Sequence, residues 1–145
     1  MVFSSHERSQ IREAFLNCSR DGYSLDRCIA DDELRRRVVS ACEKAVPGRS
    51  EQEYLWDLQN QRKASLLGKH ATKRDSFRHR EYCRAAAIAA RDVEVQHNAT
   101  VDRLLCDPAI RKEFDRIATE IAPAVEPVRL RLAALALRKT SKLKP

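Results

Sequence analysis

Apolar residues recur at three- and four-residue spacing through most of this chain, and the residues that interrupt them are those that start and stop helices. The first helix opens at the capping box Ser4-x-x-Glu7 and carries Ile11, Ala14, Phe15 and Cys18 on one face, until Asp21-Gly22 ends it. A short helical turn follows from Ser24, with Leu25, Cys28 and Ile29 inward. Asp31 or Asp32 then caps a third helix with the stripe Leu34, Val38, Ala41, Cys42 and Ala45, while Arg35, Arg36 and Arg37 are expected to point outward. Pro47-Gly48 stops it. Ser50-x-x-Glu53 is a second capping box, opening a fourth helix to about Leu67. A long helix is predicted from Phe77 to His97, broken at Asn98, then a short one from Thr100, another from Asp107-Pro108, a break at Pro123 and a last helix from about Pro127.

The second half of this pattern replays the first at an offset of 76 residues. Aligning Ser24 to Lys69 with Thr100 to Pro145 without a gap makes Asp26/Asp102, Arg27/Arg103, Asp31/Asp107, Arg35/Arg111 and Pro47/Pro123 identical. The match ends on a shared Arg-Lys-x-Ser-x-Leu, from Arg62 to Leu67 and from Arg138 to Leu143. The expected fold is therefore all-α: two tandem degenerate helical repeats packed as one helical domain, with helix-turn-helix-like hairpins. The boundaries are 1–68 for the first unit, 69–76 for a basic linker and 77–145 for the second unit with its basic tail. The last helices of the two units differ. Leu130, Leu132, Ala133, Ala134, Leu135, Ala136 and Leu137 cover almost the whole circumference of the second, which places it in the core or at an oligomer interface.

Composition agrees with helices, since 145 residues include only three glycines and five prolines. No apolar run approaches the roughly 20 residues of a membrane span. The start of the chain lacks the apolar core of a secretion signal, and five cysteines without a C-x-x-C pair suit a reducing compartment, so the expected location is cytoplasmic. The net charge of +7 is uneven: Arg62 to Arg84 carries +6, Arg129 to Pro145 another +6, and the remainder about −5. Two concentrated basic segments point to a polyanionic partner, with a solubilising surface as the plain alternative.

Three segments could meet such a partner. On the helix from Ser50, Tyr54, Leu55, Leu58 and Arg62 share one face, and Gln52, Trp56, Gln59, Asn60 and Lys63 project from the other. Gln and Asn can bond adenine edges, Lys and Arg reach guanine or phosphate, and Trp can stack on a base. The hairpin from Asp31 to Ser65 resembles a helix-turn-helix with a recognition helix, which implies that Gln59, Asn60 and Lys63 face the groove, Trp56 stacks and Arg62 holds phosphate. A helix hairpin with a solvated polar face and Trp56 packed on the neighbouring unit is the competing expectation. Second, Lys69, Lys73, Arg74, Arg78 and Arg80 form a basic run at a loop-to-helix junction suited to phosphate contact. Third, the tail from Arg138 and Lys139 repeats the end of the first unit and suggests an ancestral contact motif.

Catalytic chemistry is poorly supplied. His6, His70, His79 and His97 are scattered; His79 and Cys83 could share a metal but lack a second pair; Asp31 and Asp32 are better read as helix caps. The sequence is expected to encode a non-catalytic, regulatory nucleic-acid-binding protein, DNA in the first instance, with no metal and no cofactor. The competing expectation is an interaction scaffold that docks a second copy or a protein partner through Val128 to Leu137.

Overall fold

The computed structural model describes residues 3–19, 22–67 and 80–139, and these residues are all-helical, without strands. The chain divides into two compact units, Met1–Arg74 and Asp75–Pro145. The expected linker 69–76 spans that division and lies outside the described residues, as do the first turn expected for the long helix and the tail beyond Lys139. Among the described residues, no helix is long and apolar enough to cross a membrane.

The first unit holds α1 (Ser5–Cys18), α2 (Leu25–Ala30), α3 (Asp32–Ala45) and α4 (Glu51–Lys63). Both capping boxes form as their sequences predict: Ser4 accepts from the Glu7 N–H, Ser50 from the Glu53 N–H, and each Glu side chain accepts in return from the serine N–H. Asp31, not Asp32, is the cap of α3, its carboxylate accepting from the N–H groups of Glu33 and Leu34 at 3.0 and 3.1 Å. Helix α3 packs on α1, α2 and α4, and α4 also packs on α1 and α2. Ile11, Phe15, Ile29, Val38, Cys42, Tyr54, Leu55 and Leu58 fill the core. The Tyr54 hydroxyl, buried with its ring stacked on Phe3, donates to the Val46 carbonyl at the end of α3 and accepts from the Arg49 N–H, so it fixes the α3–α4 turn.

The second unit holds α5 (Arg80–His97), α6 (Val101–Leu104), α7 (Pro108–Ile121) and α8 (Pro127–Lys139). Here α5 packs on α6, α7 and α8, and α8 on α6 and α7. Asn98 ends α5 in the left-handed region at φ 50°. Thr100 starts α6 without a side-chain cap, and Glu94 takes over by accepting from the Val101 N–H at 2.7 Å. Leu130, Ala133 and Ala134 are fully covered and Leu132 and Leu135 nearly so, each buried leucine contributing about 2 kcal/mol. Of the two places expected for this helix, the core is the one it occupies.

Helix ends coincide between the units. Both ends of α7 lie 76 residues beyond those of α3, and both ends of α8 lie 76 beyond those of α4. Asp107 caps α7 on the Ala109 and Ile110 N–H groups as Asp31 caps α3. Val46 and Ala122, at equivalent C-caps, share similar backbone angles and bond back to Cys42 and Ala118. Arg62 pairs with Asp26 at 2.7 Å, and the equivalent Arg138 approaches Asp102 at 4.0 Å.

Two expectations about these helices are corrected. Arg35 does not point outward: it is buried, with Nε 2.7 Å from Glu51 and Nη1 donating to the Ile29 carbonyl at 3.1 Å, so one guanidinium ties the end of α2 to the first turn of α4. Helix α4 stops at Lys63, not Leu67. The Ser65 N–H bonds the Arg62 carbonyl, the Leu66 N–H reaches back to Gln61, and Ser65 takes φ 60°, a left-handed helix stop.

Candidate nucleic-acid interface

Helix α4 is held in place by polar contacts from distant parts of the chain. Arg8 Nε meets Asp57 at 2.9 Å, and the Gln61 amide donates to Asp57 at 2.8 Å and to the Arg8 carbonyl at 2.9 Å. Arg12 Nε donates to the Gln61 side-chain amide oxygen, Oε1, at 2.8 Å. Asp57 and Gln61, four residues apart on α4, thus face Arg8 and Arg12, four apart on α1, and both α4 residues are buried. That matched spacing was visible in the sequence, yet these residues were not singled out. On the adjacent side, Arg62 is clamped to buried Asp26.

These clamps decide which predicted contact residues remain on the surface. Gln59 is fully buried at 0% exposure, so its expected place on the outward face is overturned: it lies one position from Leu58 and four from Leu55, on the flank of the helix that the protein covers. Its equivalent in the second unit, Leu135, is buried too, which makes the position a core site in both units. Arg62 is occupied structurally by Asp26. Trp56 is half-buried, and Asn60 and Lys63 are exposed. These three recur at four and three residues and share one face, where the Lys63 ammonium sits 4.7 Å from the centre of the Trp56 ring, within cation–π range. In the second unit the equivalents of Trp56 and Asn60 are Leu132, buried, and Ala136, half-buried.

At the N-terminal end of α4 the charge is acidic. Glu51 engages Arg35, while Glu53 and Glu7 flank Arg49 at 3.6 and 3.7 Å, and the Arg49 guanidinium lies 4.8 Å over the Phe3 ring. Backbone hydrogen bonds at Ser50 and Ser4 hold the Glu53 and Glu7 carboxyls below the usual range, which keeps both ionised. The opposite end leads from Lys63 into the basic run.

Of that run, Lys69, Lys73, Arg74 and Arg78 lie outside the described residues, with His70 and His79. Arg80 is the first residue of α5 and Lys139 the last of α8. Arg138, half-buried, faces Asp102. The shared Arg-Lys-x-Ser-x-Leu therefore has a structural explanation in its first copy: an ion pair at Arg62, a left-handed stop at Ser65 and a buried Leu67. The apolar residues of Val128 to Leu137 offered for partner docking are mostly consumed in the core, with Leu130, Leu132 and Leu135 covered.

All five cysteines are free thiols, and burial pushes Cys28 and Cys42 up to about 12. Among the described residues no group of three or more His, Cys, Asp or Glu could hold a metal ion. No protein-family model matches the chain, and no curated protein or solved structure matches it significantly.

Proposed function

We propose that this chain is a non-catalytic nucleic-acid-binding protein of the cytoplasm, descended from a tandem duplication of a four-helix unit and using the outward face of α4 as its contact surface. The observation that carries the reading is the arrangement of Trp56, Asn60 and Lys63 on one face of α4, a half-buried indole beside an exposed amide and an exposed cation, followed in the sequence by a basic run. Coincident helix ends, equivalent Asp31 and Asp107 caps and the paired Arg62–Asp26 and Arg138–Asp102 contacts support the duplication. Its two copies have diverged where it matters for this proposal: the second unit presents leucine and alanine where the first has Trp56 and Asn60.

Under this proposal the basic run supplies sequence-independent phosphate contacts. Binding measured by anisotropy should weaken steeply with salt, and replacing Lys73, Arg74 and Arg78 by alanine should reduce the slope of log affinity against log salt by about 2 to 3. Absence of binding at low salt, or a slope unchanged by the triple replacement, contradicts it.

A further inference from the structure

We infer that the outward face of α5 joins two copies of this chain, with the two α5 helices parallel and a twofold axis running between them. Helix α5 turns its small residues toward its own unit: Ala85, Ala86, Ala89, Ala90 and Val93 are fully buried, and the helix packs on α6, α7 and α8. Its other side carries Ile88, 48% exposed, and Val95, 78% exposed, two of the four exposed large hydrophobics among the described residues. At about 100° per residue, two side chains seven positions apart lie within about 10° of a common midline. They therefore form one strip along the helix rather than isolated surface points.

The charges beside this strip determine what fits it. Arg91 and Asp92, both exposed, lie midway between Ile88 and Val95 along the helix, about 50° to either side of the midline. The Gln96 amide donates to Asp92 Oδ1 at 3.1 Å, which holds the carboxylate on its flank. In an antiparallel pair of α5 helices, twofold symmetry sets like flank against like flank, so Arg91 meets Arg91 and Asp92 meets Asp92. In a parallel pair it sets opposite flanks together. Arg91 of each copy then faces Asp92 of the other, giving two symmetric ion pairs around Ile88 against Ile88 and Val95 against Val95. A partner of a single charge sign would match one flank and oppose the other, whereas a second copy satisfies both. Arg84, exposed one turn before Ile88, lies on the Arg91 side, where its long stem can turn the charge to solvent at the rim. A contact along one helix of 18 residues, about 27 Å long, belongs to the small-interface class, so the pair is weak and reversible.

The test is analytical ultracentrifugation of the full chain from about 5 to 500 μM without nucleic acid, in reducing buffer because all five cysteines are free thiols. Expected is a monomer–dimer equilibrium with Kd on the order of 100 μM. Ile88→Glu and Val95→Glu, both at exposed sites, should each weaken it about tenfold or more while keeping the helical circular dichroism of the parent. Arg91→Asp alone and Asp92→Arg alone should each weaken the dimer, since each sets like charges together. The double exchange Arg91→Asp with Asp92→Arg should restore it to within about threefold, because the two ion pairs form again with their signs reversed. A chain that stays monomeric up to about 500 μM overturns the inference, as does a dimer that Val95→Glu leaves unchanged, which would join through another surface. A dimer sensitive to Val95→Glu but indifferent to both single charge changes, or not restored by the double exchange, overturns the parallel pairing. None of these outcomes bears on the nucleic-acid function proposed above.

Discussion

Arg62→Met removes the guanidinium that joins α4 to α2 and separates a structural role for Arg62 from a role in ligand contact. Its Nη1 lies 2.7 Å from Asp26 Oδ1, and the Asp26 side chain is 11% exposed against 27% for Arg62. At an effective dielectric of about 20, the gross attraction at this separation is about 6 kcal/mol, most of it offset by desolvation of both groups. Removing Arg62 leaves a mostly buried carboxylate without its guanidinium, and solvent reaching the Arg62 side lowers the cost below that of a fully enclosed pair, to about 2 kcal/mol. Urea unfolding followed by circular dichroism reads this loss, and adding Asp26→Asn should recover part of it, because the stranded charge is then gone. The equivalent Arg138→Met acts across 4.0 Å and should cost about 1 kcal/mol or less. Nucleic-acid affinity of folded Arg62→Met should stay within about threefold of the parent, the share of a single peripheral charge. If Arg62→Met kept its stability within about 0.5 kcal/mol while affinity collapsed, the residue would be a ligand contact and the structural assignment of the shared Arg-Lys-x-Ser-x-Leu would be wrong.

Three further outcomes follow from the fold. Ser65→Gly should stabilise the protein by about 0.5 to 1 kcal/mol in urea unfolding, because Ser65 sits at φ 60° where glycine has no steric penalty; a loss of stability would contradict that helix stop. Glu7 and Glu53 have carboxyl pKa values lowered by their capping bonds, so their contribution is present above the unfolded-state value near 4.5 and is lost as pH falls through the lowered folded value. Stability of Glu53→Gln followed across that acid range should therefore vary less with pH than the parent, and an unchanged profile would argue against the box. Cys28 and Cys42, buried with thiols near 12, should resist a thiol-specific reagent in the native state while half-buried Cys18 reacts first; equal labelling of all three would contradict their burial.

The helices were legible because their signals are local. Ser4 with Glu7 and Ser50 with Glu53 act within one turn, as do Asp31 and Asp107 each on its own helix, and each makes the bond its sequence implies. The apolar circumference of α8 likewise indicated burial. Arg35 and Gln59 were misplaced because periodicity gives an angle around the helix axis, whereas burial of a polar residue depends on what faces it. For Arg35 that is Glu51, sixteen residues away, and the Ile29 carbonyl, which no composition rule identifies. Of the predicted contact face, Trp56, Asn60 and Lys63 stayed together because they share one angular sector, and Gln59, at its edge, was lost to the core. The repeat identities were visible, but their meaning was not: in the first unit Arg62 holds α4 and Ser65 ends it, and this emerges only from the Asp26 partner and the left-handed backbone.

The central claim is that the Trp56 face of α4 receives nucleic acid, and the indole N–H of this lone tryptophan gives one resonance in a proton–nitrogen correlation spectrum on which to test it. Titration with a short single-stranded oligonucleotide should shift or broaden that resonance early and in proportion to occupancy, with the exposed Asn60 amide responding alongside it. If the oligonucleotide binds while both signals stay fixed, the contact lies elsewhere on the protein and the account of α4 is contradicted.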